Sequence, residues 1–254
     1  MPTACVLQRH EREPSHFWRG CEAAGFRVSG SPAKRPARGD LLLIWNRQGL
    51  RHQIAHSYES AGAKVIVAEN GYIGRAPDGG KMYALARSHH NGRGHWQVGG
   101  DERFAALGVD LKPWRERGEH ILILAQRGFG EPGVAMPRDW PDKVQRRLRG
   151  VTARPVRLRA HPGLLRTPLE PDFENVHACV TWGSGAAIKA IAAGVPVFHE
   201  LPGWIGAPAA RFGLDRIEDP FLGDRLPMFR RLAWAQFSAK EIETGEPIRR
   251  CLSA

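Results

Sequence analysis

Short apolar runs, spaced by longer mixed stretches, set the rhythm of this chain. "DLLLIWN" (40–46) and "KVIVAEN" (64–70) read as buried strands. Between them, "RQGLRHQIAHSYESAGA" sets Leu50, Ile54 and Tyr58 on one helical face, and Gly62 ends the helix. Strand, helix and strand at this length form a βαβ unit, so the two strands are predicted to be parallel. The alternation resumes with strands over 119–126, 154–160, 177–181 and 195–198 and helices over 139–149 and 184–193. A short acidic-headed turn, "EPDFENV", precedes the strand at 177. Residues 1–39 read as one irregular helix-containing unit ending in a basic connector, "SGSPAKRPARGD". Residues 71–118, rich in Gly, His and Trp, are too long for an ordinary connection and read as functional loop with short helical stretches. From residue 216 onward the pattern is helical, with an apolar stripe of Phe229, Leu232, Ala233 and Phe237. Ser238 and Glu241 stand at capping-box spacing.

Two blocks of βα units predict an α/β protein of two Rossmann-like parallel-sheet lobes with a cleft, and C-terminal helices packing back. The boundaries drawn from the pattern are 1–115, 116–228 and a helical tail at 229–254. A chain of 254 residues can bury a core in each lobe. Hydrophobic residues at 42% and charged residues at 25% are ordinary for a soluble globular protein. No apolar run approaches the roughly 20 residues that span a bilayer, and the first residues lack a signal-peptide core, so a cytoplasmic setting is expected. Cys5, Cys21, Cys179 and Cys251 are scattered without CxxC spacing, which suits free thiols rather than disulfides or a zinc site.

Charge changes the picture most. The formal net charge is +11, which implies a surface attractive to nucleic acid, anionic membrane or phosphorylated ligands, unless it reflects an arginine-rich proteome. The excess is concentrated: Lys143 to Arg166 holds eight basic residues and no acid.

Candidate chemistry falls beyond the carboxyl ends of the strands, where such sheets bind ligands. In "TWGSGAAIKAIAAGVP" a helix starting at Ser184 leaves amides unpaired at a positive dipole end, and Gly183 and Gly185 admit a phosphate; a plain serine cap is the alternative. In "VRLRAHPG", His161 follows a strand and is held by Pro162, ready to donate to a phosphate or leaving oxygen, or merely to lie on the surface. In "VAENGYIGR", Glu69 ends a strand ahead of the Asn70-Gly71 turn, placed either to take a proton from a hydroxyl or to pair with Arg75. "RSHHNGRGHW" offers His90, Asn91, Arg93 and Trp96 to phosphates and rings, a solvated loop being the alternative and a metal site the weaker one. Arg127 in "AQRGFGEPG" is within reach of a phosphate.

These motifs, in this order over residues 64–200, resemble those of bacterial sialyltransferases and capsule Kdo transferases. Glu-Asn-Gly resembles their acidic general-base motif, His161-Pro162 their His-Pro motif, and "WGSGAAIKAIAAGVPVF" their serine motif. "ENGYIG", "HHNGRGHW", "PWRERGEHILILAQRG" and "LAWAQFSAKEIETGEP" are similar to small phage-encoded GT-B glycosyltransferases associated with sugar modification of hydroxymethylated DNA bases. Two positions depart from the family pattern: Asn70 replaces a second acid, and Ser184 is single.

The resemblance implies a GT-B-like, metal-independent glycosyltransferase. Its co-substrate is a nucleotide sugar, expected to be a UDP-sugar, with no other cofactor. The N-terminal lobe then takes the acceptor and the C-terminal lobe the donor. Glu69 and His161 are the catalytic candidates, and Arg127, His161, Gly183, Ser184 and Gly185 hold the donor phosphates. Asn70, Gly71, His90, Asn91, Arg93 and Trp96 meet the acceptor. For a DNA acceptor in phage-infected cells, Arg146, Arg147, Arg149, Arg157 and Arg159 are the phosphate contacts, and the target base is flipped out of the stack. The alternatives are a capsule or lipopolysaccharide glycan acceptor, or a non-catalytic nucleic-acid binder on the same scaffold.

Overall fold

The computed structural model describes residues 1–8, 15–90, 92–95, 99–163, 165 and 167–254. The chain divides into two compact units, one made of 1–108 with 230–254 and the other of 109–229.

The first unit is built from β1 (Thr3–Leu7), α1 (His16–Ala23), β2 (Arg27–Ser29), β3 (Leu41–Trp45), α2 (Leu50–Ser60), β4 (Lys64–Asn70), β5 (Met82–Arg87) and α3 (Glu102–Ala106). The predicted βαβ unit is present, and β3 and β4 are parallel. The N-terminal segment differs from its reading as an irregular unit, because β1 and β2 form two further parallel strands of the same sheet. The Gly-rich stretch likewise contains β5, which runs antiparallel to β4. Side chains alternate across the sheet as period two requires. Leu41, Leu43, Ile66 and Ala68 pack beneath α1, while Leu42, Ile44, Val65 and Val67 pack with Ala55 and Tyr58 of α2.

The second unit contains β6 (His120–Leu124), α4 (Trp140–Leu148), β7 (Val156–Arg159), β8 (Val176–Thr181), α5 (Gly185–Ala192), β9 (Val197–His199) and β10 (Arg211–Phe212). These are the predicted strands and helices, within a few residues at their ends, plus β10. Their order is β10-β9-β8-β6-β7 and every pairing is parallel. Helix α4 covers one face, where Trp140, Val144 and Leu148 pack on Ile121, Ile123, Ala178 and Val180. The acidic-headed turn is a 3-10 turn over Glu170–Phe173.

The chain then passes through α6 (Leu226–Ala233), β11 (Gln236–Ser238), α7 (Ala239–Glu243) and α8 (Glu246–Ser253). The predicted apolar stripe is split, since Phe229, Leu232 and Ala233 lie on α6 but Phe237 lies on β11. That strand pairs antiparallel with β5, completing the order β11-β5-β4-β3-β1-β2. Ser238 caps α7 in a full capping box with Glu241. Gly20 of α1 is tied to this tail, because a Cβ there would lie 2.3 Å from the Ile242 carbonyl oxygen.

All four cysteines are free and buried. Among the described residues, no helix is long and apolar enough to cross a membrane.

Candidate functional site

In the second unit three neighbouring strands end level. Leu124 of β6 pairs with Arg159 of β7 on one side and with Thr181 of β8 on the other. The residues just beyond these positions therefore leave one sheet edge together: Gln126 and Arg127, then His161, then Gly183 and Ser184. The strand order reverses between β6 and β8, the position where open α/β sheets form their ligand crevice. Side chains tie the two loops at that crevice. The Gly183 N–H donates to Gln126 Oε1 at 3.2 Å, and Trp182 Nε1–H donates to the Val134 carbonyl at 2.9 Å.

Helix α5 begins as predicted, with Ser184 as N-cap, but its mouth is less open than the sequence implies. Thr181 Oγ1 accepts from the Ser184 N–H at 3.0 Å, and Ser184 Oγ accepts from the Ala186 N–H at 3.1 Å. With the Gly183 amide engaged by Gln126, the exposed Gly185 N–H is the amide of this turn left open among the described residues. Gly183 answers to packing rather than to a ligand, since a Cβ would meet Leu201 Cδ2 at 2.6 Å.

His161 presents a further donor just past the end of β7. The Pro162-Gly163 turn brings the Gly163 N–H to His161 Nδ1 at 3.0 Å, so Nδ1 accepts and the neutral ring carries its proton on Nε2. Partial desolvation, and next the Arg127 guanidinium, push this imidazole below its usual range. The Arg127 charge is therefore felt at the His161 ring. Arg127 is exposed and stacks on Phe129 at 4.6 Å from the ring centroid.

In the first unit Glu69 and Asn70 close β4, opposite Ala84 and Tyr83 of β5. The Gly71 N–H donates to the Met82 carbonyl at 2.8 Å, and a Cβ on Gly71 would lie 2.6 Å from Met82 Cβ, so this glycine permits the tight exit from β4. The following residues are clamped from the tail of the chain. Gln236, fully buried on β11, accepts from the Tyr72 and Ile73 N–H groups at 2.8 and 3.2 Å and donates to the Ile73 carbonyl at 2.6 Å. Burial, and next the Glu69 carboxylate, hold the Tyr72 hydroxyl well above its usual range. Half-buried Trp45 and Tyr83 meet edge to face, ring centroids 6.2 Å apart, on the face of the sheet that Asn70 shares, and Tyr83 also packs against Phe17 of α1.

Not every predicted residue joins these groups. Because β5 is antiparallel to β4, the loop after Arg87 emerges beside Val65, at the opposite end of β4 from Glu69. The loop folds back through an Arg87–His95 bridge, with His90 buried and Arg93 half-buried. The structure therefore does not bring His90 or Arg93 to Glu69, Asn70 and Gly71; Asn91 and Trp96 lie outside the described residues. The five arginines proposed for DNA do not share a face either. Arg146, Arg147 and Arg149 belong to α4 and its cap, over the Ile121 face. Arg157 and Arg159 are in register with Leu122 and Leu124 and point to the other face. Arg147 pairs with Glu200, and Arg159 with Asp172 and Thr167.

Gln126 and Gln236 are candidate site residues that sequence reasoning missed. For Gln126 a signal was present, as a polar residue just past a buried strand; Gln236 had none. Among the described residues no three His, Cys, Asp or Glu side chains cluster as a metal site requires.

No family model and no curated protein matches the chain. Among solved structures it is similar in fold to two from Thermosulfurimonas dismutans. One is the KpsC β-Kdo 2,4-transferase, with TM-score 0.54 and 10% identity over 91% of this chain and 90% of that one. The other is the KpsC β-Kdo 2,7-transferase, with TM-score 0.53 and 12% identity over 95% of this chain and 98% of that one. At such identities the likeness establishes the α/β fold of two largely parallel sheets.

Proposed function

We propose that this chain is a glycosyltransferase that moves a sugar from a nucleotide sugar to a hydroxyl of a glycan, of the kind found in capsule or lipopolysaccharide. The donor side is carried by one observation: an imidazole N–H donor, a guanidinium and an open helix amide leave the ends of three adjacent parallel strands at one level. In the transfer, the acceptor oxygen bonds to the anomeric carbon as the bond from that carbon to the donor phosphate oxygen breaks. The electron pair departs with the nucleotide. His161 Nε2–H, Arg127 and the Gly185 N–H stabilise the charge growing on that phosphate, with the Ser184 hydroxyl as a further donor. Glu69 takes the proton of the attacking hydroxyl. A single displacement of this kind inverts the anomeric configuration.

Support for a glycan acceptor comes from the fold shared with two Kdo transferases. A DNA acceptor rests on charge, and that support weakens where the arginines are divided between two faces and two of them are already paired.

The test is nucleotide release from UDP-, GDP- and CMP-sugars, alone and with glycan or hydroxymethylated DNA acceptors. Release stimulated by glycans is expected. Release stimulated by DNA alone replaces the acceptor, and no release from any donor overturns the enzyme reading. Glu69→Gln should stop transfer while sparing donor binding, whereas His161→Ala should weaken both.

A further inference from the structure

The connection from β7 back to β8 leaves part of the second unit's sheet without its usual cover. It crosses β6, and a right-handed crossover must pass over the face opposite α4. Such connections are ordinarily helical. Here the described residues between 160 and 175 contain, as helix, only the 3-10 turn at Glu170–Phe173. Beneath it lies a cavity of about 510 Å³, floored by His120, Leu122 and Arg157 and walled by Asp172, Glu174 and Asn175.

Two floor residues are unspent. His120 is 2% exposed, and neither ring nitrogen has a hydrogen-bond partner among the described residues. An orphaned buried polar group of this kind is costly to the fold. Arg157 is exposed, and no carboxylate pairs with it among the described residues. Its guanidinium is near enough to join burial in holding the His120 ring neutral. A neutral imidazole offers one donor and one acceptor, the pair of bonds that a hydroxyl both accepts and returns. Glu119 and Glu174 at the rim accept further hydroxyl protons but repel a bare polyanion. Arg159, one strand pleat closer to the carboxyl edge, is held by Asp172 and Thr167 and so is already committed.

We propose that this cavity is a second small-molecule site, distinct from the edge that carries His161 and Ser184, and that it takes a polyhydroxylated ligand bearing one oxyanion. The oxyanion is held by Arg157, and a hydroxyl group reaches His120.

The test is NMR of the imidazole resonances of the full chain during titration with glucose 6-phosphate, gluconate, glucose and inorganic phosphate. The first two distinguish a phosphate from a carboxylate as the oxyanion. One of them should shift the His120 signals saturably, and more tightly than glucose or phosphate alone. Arg157→Ala, a substitution at an exposed position, should weaken that binding about ten- to a hundredfold. His120→Leu should abolish it while raising the Tm, because an unsatisfied polar ring is removed. No saturable shift with either charged sugar, affinity unchanged by Arg157→Ala, or phosphate binding as tightly as glucose 6-phosphate would each overturn the proposal. None of these outcomes depends on nucleotide-sugar turnover.

Discussion

Replacing Gln236 tests whether the tail of the chain holds the candidate base in place. The side chain is fully buried and serves three backbone groups, the N–H of Tyr72, the N–H of Ile73 and the carbonyl of Ile73. Leucine has nearly the same volume, so Gln236→Leu creates little cavity. Its cost comes from the three groups left unpaired, at roughly 1–3 kcal/mol each. Taking the lower part of that range, because adjacent groups can share one entering water, the loss is about 3–5 kcal/mol. For a unit of this size that lowers Tm by roughly 10–20 °C. The same loss makes the Tyr72 and Ile73 amides exchange about a hundred- to several-thousandfold faster in native-state hydrogen exchange. Glu69 lies three residues before this clamp, so turnover measured well below the new Tm should fall while donor affinity stays unchanged. Gln236→Glu keeps both accepted N–H bonds and loses only the donated one, so it should fall between the wild type and the leucine variant. Unchanged protection at Tyr72 and Ile73 in Gln236→Leu would refute the clamp. Lost protection with intact kcat would refute its link to Glu69.

The remaining predictions concern protons, a cap and thiols. Because burial and then Arg127 depress His161, Arg127→Ala should move its NMR titration up toward the ordinary histidine range, and an unmoved midpoint would separate the two residues. A bound phosphate raises the pKa of that ring, so donor binding should take up protons and tighten as pH falls through the interval between free and bound pKa values; calorimetry in buffers of different ionisation enthalpy checks the sign. His95, His120, His161, His177 and His199 are all depressed, with burial as the largest cause, so the unfolded chain binds more protons than the folded one. Stability should therefore fall as pH drops from the ordinary histidine range through the folded-state values, and a Tm flat across that window would contradict the assignment. Ser184→Ala removes the cap bond to the Ala186 N–H and should cost about 1 kcal/mol in denaturant unfolding, with Ser184→Gly costing less. Burial raises the thiols, Cys5 to about 11 and Cys21 and Cys251 to about 12, so an aromatic disulfide reagent at mildly alkaline pH should find no reactive cysteine until the protein is unfolded.

What was readable beforehand follows the range of the forces involved. The capping box at Ser238 and Glu241, the serine cap of α5 and the His-Pro turn are made within a few residues, so local spacing was enough to find them. The strands buried on both faces announced themselves as unbroken apolar runs. β2 gave no such signal, because it is an edge strand of three residues with no buried position. β5 hid in an alanine-containing stretch inside a Gly-rich segment, and its direction decided more than its existence. An antiparallel β5 sends His90 and Arg93 away from Glu69, whereas a parallel return would have brought them near. Gln236 is 164 residues from Tyr72, a distance at which no spacing rule operates. Pairing of Arg147 with Glu200 and of Arg159 with Asp172 was equally invisible, and it turns an apparent basic patch into internal ties.

The division of labour between the units can be argued from their shared topology. The parallel strands of the first unit run β2-β1-β3-β4, the same order as β7-β6-β8-β9 in the second, so each sheet reverses between its first and third strands. Past that reversal the first unit carries Arg47, yet this cation is 3% exposed, bound through two 2.7 Å contacts to Glu59 and also to the Ser88 carbonyl. A guanidinium so neutralised has nothing left for a ligand phosphate. On the other side of its own reversal, past β6, the second unit carries Arg127, exposed, stacked on Phe129 and paired with no carboxylate among the described residues. Equal topologies thus leave unequal charge at their carboxyl edges: an exposed cation in the second unit, and in the first a neutralised one together with the Glu69 carboxylate. Under the proposed function, that asymmetry favours the second unit for the nucleotide and the first for the proton. Exchanging the charges, with Arg127→Glu in one variant and Glu69→Arg in another, should abolish donor binding in the first and leave it intact in the second.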